Sequence, residues 1–225
     1  MLGTVINATA IVIASIAGIL LGSRLNEELK ESLISALGLA VILIGLSMAL
    51  ETQNVLVVIA SMLIGTAIGE MIGIEKWLDK GANRIEARFE GSRFTDGFVS
   101  STLLFCVGSL AIVGPIQEGL TGDTSILMAK SMLDGIAAMA LSSTLGIGVL
   151  FSSVSVLIYQ GFFTLLASSM SAYATEQIIT EVTATGGLLI TAIGIKLLQI
   201  RNLKIGNMLP AVFVAPILTP LLQGL

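Results

Sequence analysis

The chain has 225 residues, of which 55% are hydrophobic and 12% charged, with a net charge of −4 and no histidine. A typical soluble domain carries roughly 25% charged residues, so this composition excludes a water-soluble domain, whose surface needs more polar cover. The small, unevenly placed charge excludes a nucleic-acid partner, and a single cysteine, Cys106, excludes an intrachain disulfide or a CxxC metal site.

A hydrocarbon core about 30 Å thick needs about 20 apolar residues per helix. That measure predicts an all-α integral membrane protein with eight spans: 2–22, 33–50, 55–73, 97–114, 124–142, 145–169, 182–200 and 206–223. No Lys or Arg precedes Leu2–Gly22, so this run is expected to be a retained first helix rather than a signal peptide. After the third span, residues 74–93 place Ile74, Leu78, Ile85 and Phe89 on one helical face and step Lys76, Lys80, Arg84 and Arg88 along another. This pattern predicts an amphipathic helix on the cytoplasmic membrane surface, facing anionic lipid and anchored by Trp77.

Span four is expected to close in a loop, Gly114–Asp123, whose acids could gather a cation but which more simply ends in a helix cap at Asp123 or Thr124. Span five is the least apolar, because it holds Lys130 and Asp134. Pro210, Pro216 and Pro220 predict a kinked or broken span eight, since proline frees backbone carbonyls within the membrane.

The charges orient these spans. Arg24 and Lys30, then Lys76 to Arg93, then Lys196, Arg201 and Lys204 all face one side if eight helices cross, and Glu51, Glu118, Asp123, Glu176 and Glu181 face the other. The positive-inside rule makes the basic side cytoplasmic and both termini extracytoplasmic.

Order is also repeated along the chain. Ile64-Gly65-Thr66-Ala67-Ile68-Gly69 nearly matches Leu189-Ile190-Thr191-Ala192-Ile193-Gly194, and Ser35–Val41 at the start of span two resembles Ser143–Val149 at the start of span six. These matches predict two parallel four-helix repeats, 1–114 (including the surface helix 74–93) and 115–225, of the kind that build transporters.

Four residues are candidates for a substrate or ion pathway. Lys130 and Asp134 lie four apart, hence on one helical face, and buried charges in a membrane usually face an interior partner or water. Asn7 lies near the level of Asp134 if spans one and five correspond. Glu70, near the cytoplasmic end of span three, and Lys196 either pair across the repeats or snorkel to the nearby headgroups, the simpler reading for the long-stemmed Lys196. Pro210 and Pro216 are the candidate helix breaks. No P-loop, GxGxxG, HExxH or His-dependent triad is present, so neither enzyme activity nor a cofactor or metal is expected.

Several stretches resemble the domain-of-unknown-function 554 family of prokaryotic membrane proteins: Met1–Thr4 with Asn7, Leu103–Gly114 running on through Glu118–Asp123, Lys130-Ser131 with Leu133-Asp134-Gly135, Ser143–Phe151, and Gly206-Asn207 with Leu209-Pro210-Ala211. The resemblance covers essentially the whole chain and implies a multi-pass inner-membrane protein. It supplies no functional residues. The expected function is a small secondary transporter or channel for an ion or small polar solute. The alternative is a non-transporting scaffold or regulatory subunit docking through 74–93. The implied partners are the bilayer, anionic lipid at 74–93 and a small solute, and self-association is compatible with either function.

Overall fold

A computed structural model describes residues 1–24, 26–77, 93–170 and 174–222. Helices α1 (Leu2–Gly22), α2 (Glu27–Ala49), α3 (Val55–Ile72), α4 (Phe94–Cys106), α5 (Ser109–Thr121), α6 (Ser125–Leu145), α7 (Gly148–Leu165), α8 (Ala167–Met170), α9 (Glu176–Leu197), α10 (Ile205–Met208) and α11 (Ala211–Leu222) follow in order. There is no strand among the described residues. Seven helical stretches, counting α10 and α11 as one, are long and apolar enough to cross a membrane, and the bent pair α4–α5 would make an eighth. Of the surface helix expected at 74–93, residues 74–77 are helical. Its basic stripe through Lys80, Arg84 and Arg88 lies outside the described residues.

Local chemistry explains most boundaries. Asn54 opens α3 by accepting from the Leu56 N–H at 3.1 Å, and Gly73 closes it in the left-handed conformation at φ 73°. Thr175 caps α9 through the Ile178 N–H at 3.3 Å, which starts that helix well before the predicted 182.

Span four differs from its expectation. It is two helices that meet at 56° across Val107-Gly108. Gly108 sits at φ 133° and ψ 151°, a conformation that side-chain-bearing residues rarely adopt, so glycine permits the break. The loop expected at 114–123 is also corrected, because α5 continues through Pro115 to Thr121 before Gly122 ends it at φ 75°. In hydrocarbon the backbone gains by staying paired in a helix, and one proline forfeits only one such bond.

The last span breaks at Pro210 alone. Helix α10 stops at Met208 and α11 starts at Ala211, whereas Pro216 lies within α11. The Phe213 and Val214 N–H groups both donate to the Pro210 carbonyl at 3.0 Å, restarting the ladder beyond the missing donor.

The chain forms two compact units: residues 1–33 with 84–174, and 34–83 with 175–225. Each draws on both halves of the sequence. In the first unit, α1 packs along α6 in the same direction. A Cβ on Gly3 would meet Leu127, one on Gly18 would collide with the Met139 carbonyl and Ser142 Oγ, and one on Gly22 with the Ser143 carbonyl. Helices α4 and α5 lie along α7, likewise in its direction, with Gly148 against Phe94 and Gly119 against Thr164. In the second unit α2 and α9 are antiparallel. Gly45 and Gly187 face each other, as do Gly38 and Gly194, and a Cβ on Gly45, Gly187 or Gly194 would fall 2.5 Å from the nearest atom of the other helix. Helix α3 runs antiparallel to α10 and α11, with Gly65 on Ala211 and Gly69 on Asn207. Small residues thus replace a water-driven core, as close packing in lipid requires.

Candidate functional site

The first unit encloses a chain of polar side chains contributed by α1, α5, α6 and α7. At its centre Lys130 Nζ donates to both oxygens of Asp134, at 2.8 and 2.6 Å. Their spacing on α6 brings them together within one turn, and their side chains are 7% and 8% exposed. Asp134 is nine residues into α6, about 14 Å along a helix about 30 Å long at 1.5 Å per residue. The pair therefore sits near mid-span.

Asn7 on α1 donates through Nδ2 to Asp134 Oδ2 at 2.9 Å and to Gln160 Oε1 on α7 at 3.3 Å. Both amides are fully buried. Asn7 Oδ1 and Gln160 Nε2 have no hydrogen-bond partner among the described residues. Such orphaned amide atoms are costly, and native proteins keep few of them. Cys106, the last residue of α4, is buried at the α4–α5 break.

The polar chain continues towards the start of α1. Thr164 Oγ1 donates to the Gln160 carbonyl at 2.9 Å and is 3.2 Å from Thr4 Oγ1. Thr4 Oγ1 donates to Glu118 Oε2 at 3.0 Å, and Glu118 Oε1 accepts from the Gly3 N–H at 2.7 Å. The Met1 nitrogen lies 3.0 Å from Oε1, so Glu118 caps α1 and closes the chain at a partly exposed end. Next to it, Asp123 accepts from the Ser125 N–H and hydroxyl at 2.9 and 2.6 Å. These bonds hold its carboxyl below the usual range and cap α6.

The sequence-predicted candidates separate. Lys130, Asp134 and Asn7 come together, whereas Glu70 belongs to the second unit. There it accepts from Lys204 Nζ at 2.9 Å and from Asn207 Nδ2, so the pairing with Lys196, one of the two arrangements the sequence left open, is not the one formed. The cause is the packing of Gly69 on Asn207, which brings the start of α10 beside Glu70. Glu75 completes this clasp: its N–H donates to Asn207 Oδ1 at 2.7 Å and its carboxylate accepts from the Gly206 N–H at 2.6 Å. The Glu70 carboxylate raises the Lys204 ammonium above its ordinary value. Glu181, grouped in the sequence with the outer-face acids, lies early in α9, beside the α2–α3 turn that follows Glu51 of the same group. It caps the α2–α3 turn by accepting from Thr52 Oγ1 at 2.6 Å and the Gln53 and Asn54 N–H groups at 2.8 and 3.0 Å.

Sequence reasoning missed Gln160, Thr4 and Thr164. Gln160 is the one amide side chain in α7, and that isolation in an apolar run was the available signal. No cluster of three or more His, Cys, Asp or Glu residues suited to a metal occurs among the described residues.

The family profile described as "Protein of unknown function (DUF554)" matches residues 2–220. The chain is 32% identical over 221 residues to "Uncharacterized membrane protein YdfK" of Bacillus subtilis (strain 168), covering 96% of this chain and 95% of that one. It is 34% identical over 221 residues to "Uncharacterized protein YqgA" of Escherichia coli (strain K12), covering 95% of this chain and 94% of that one. No solved structure matches.

Proposed function

The chain belongs to the DUF554 family of multi-pass membrane proteins, and we propose that it acts there as a small secondary transporter or channel for an ion or small polar solute, without enzymatic chemistry. One observation carries this reading: a buried Lys130–Asp134 pair near mid-span, bonded to Asn7, beside two orphaned amide atoms. A dry structural pair would gain by satisfying every neighbour, and ionisable groups inside membrane helices commonly mark substrate or ion paths. The helix break at Val107-Gly108 supports the same reading, because discontinuous helices recur at transporter binding sites.

Helix directions support eight crossings. Parallel α1 and α6 require an odd number of crossings between them, which α2, α3 and the bent α4–α5 supply. Antiparallel α2 and α9, and antiparallel α3 and α11, fit the same count. Both termini then share one side, and the positive-inside rule makes that side extracytoplasmic. A prokaryotic inner membrane is the fitting location, and the two parallel repeats of the sequence remain part of this proposal.

The test is flux through proteoliposomes. Wild type is expected to move solute or carry current, Asp134→Asn to lose at least tenfold, and the paired K130M/D134L variant to fold normally yet stay silent. Undiminished flux in the well-folded double variant would remove the pair from the pathway. The scaffold alternative rests on 74–93, and no observation in the described residues favours it.

A further inference from the structure

We propose that the Lys130–Asp134–Asn7–Gln160 cluster binds a small carboxylate bearing an adjacent hydroxyl or amino donor, and that a proton on Asp134 accompanies it. This deepens the transport reading and rests on it for access from water. Lys130 is the one buried Lys or Arg among the described residues, and Asp134 is its counter-charge at 2.6 Å. Buried charges stay paired or become neutral. An incoming cation would meet the Lys130 ammonium at contact distance and find few unclaimed acceptors. An incoming anion needs only that Asp134 be neutralised, and its own carboxylate then replaces Asp134 as the partner of Lys130.

The unpaired atoms fit this choice. An ammonium has three donors, and two of those on Lys130 point at Asp134. Gln160 Nε2 offers two more N–H donors with no partner among the described residues, and Asn7 Oδ1 is one acceptor atom with two lone pairs. Donors therefore outnumber acceptors, as carboxylate recognition demands, and the lone acceptor calls for one donor on the ligand. The proton arrives from water, forms an O–H bond on Asp134 and leaves by the reverse step, with nothing oxidised. The titratable groups on the packed elements are Lys130 on α6 itself, Glu118 on α5, Asp96 and Cys106 on α4 and Tyr159 on α7; α1 brings none besides the Met1 nitrogen. None except Lys130 bonds Asp134.

The experiment follows the thermal unfolding midpoint of the purified full chain in detergent as lactate is added at pH 5 and pH 8, with glycerol and potassium chloride as controls. Lactate is expected to raise the wild-type midpoint at pH 5 and not at pH 8. Asp134→Asn, neutral at both, should respond at both, and K130M/D134N at neither. Should Asp134→Asn not fold, Gln160→Leu serves instead, with roughly tenfold weaker apparent affinity for the loss of a hydrogen bond to a charged group. A wild-type response at pH 5 no larger than that to glycerol overturns the proposal, as does an undiminished response in K130M/D134N. Stabilisation by potassium in place of lactate overturns the anion assignment while leaving the transport reading intact. Flux without any lactate response does the same, and absence of both flux and response sinks both.

Discussion

Asp134 accepts three hydrogen bonds, two from Lys130 and one from Asn7, while buried beside Asn7 Oδ1 and Gln160 Nε2, which have no partner among the described residues. Removing one partner of such a pair strands the other charge, at a cost of about 3–5 kcal/mol, whereas replacing both with apolar side chains is often neutral or stabilising. Asp134→Ala is therefore expected to destabilise by about 3–5 kcal/mol, and K130M/D134L by less than about 1 kcal/mol. Denaturant unfolding in mixed micelles checks both values. Equal losses in the two variants would show that the pair stabilises the fold through its own bonds. The i, i+4 spacing and the cost of charge in lipid made this pair legible in the sequence, and the level of Asn7 followed from setting span one beside span five. Gln160 was not legible, because one amide in an apolar helix carries no spacing that names its partner. Glu70's partners were not legible for a related reason: its place in the sequence gave no account of where α10 would land.

At the scale of the element, glycine decides which helices meet. Gly18 leaves no room for a Cβ beside the Met139 carbonyl, a backbone atom that cannot step aside, whereas a Cβ on Gly135 would rest at 3.9 Å from Ala14, an ordinary contact. Gly18→Ala is expected to split α1 from α6 and lower stability by about 1–3 kcal/mol, the usual cost of overpacking. Gly135→Ala is expected to raise stability by about 0.5–1 kcal/mol, since alanine restrains the helix better than glycine. Unfolding curves for the two variants should move in opposite directions. Hydrophobic length located most spans to within a few residues, because lipid thickness fixes it. The α4–α5 break escaped that measure. Both sides of Val107-Gly108 are apolar, so hydropathy runs on unbroken while the backbone turns. Pro115 erred in the other direction, marking a loop where the demand for paired backbone groups keeps the helix.

For the whole molecule, the sequence halves and the compact units divide the chain differently, since each unit takes helices from both halves. Similarity along a chain records local packing needs, such as the Gly69 and Gly194 contacts, whereas compactness depends on which helices those contacts join. Crossing number links the two descriptions. The eight crossings proposed above would place both ends outside, so a C-terminal alkaline phosphatase fusion is expected to be active and a C-terminal green fluorescent protein fusion dark. The reverse pattern would mean that α4–α5 dips into the membrane and returns.

Transport through the cluster around Asp134 requires that the cluster meet water. Cys106 is the single native cysteine, so Cys106→Ala followed by Asn7→Cys leaves one thiol, at the cluster. A small, membrane-impermeant methanethiosulfonate is expected to label this thiol in the folded protein, at a rate that prior Asp134→Asn changes. A thiol that stays unlabelled from both sides of the membrane, yet reacts fully once the protein is unfolded in detergent, would show a dry, filled interface and contradict the account.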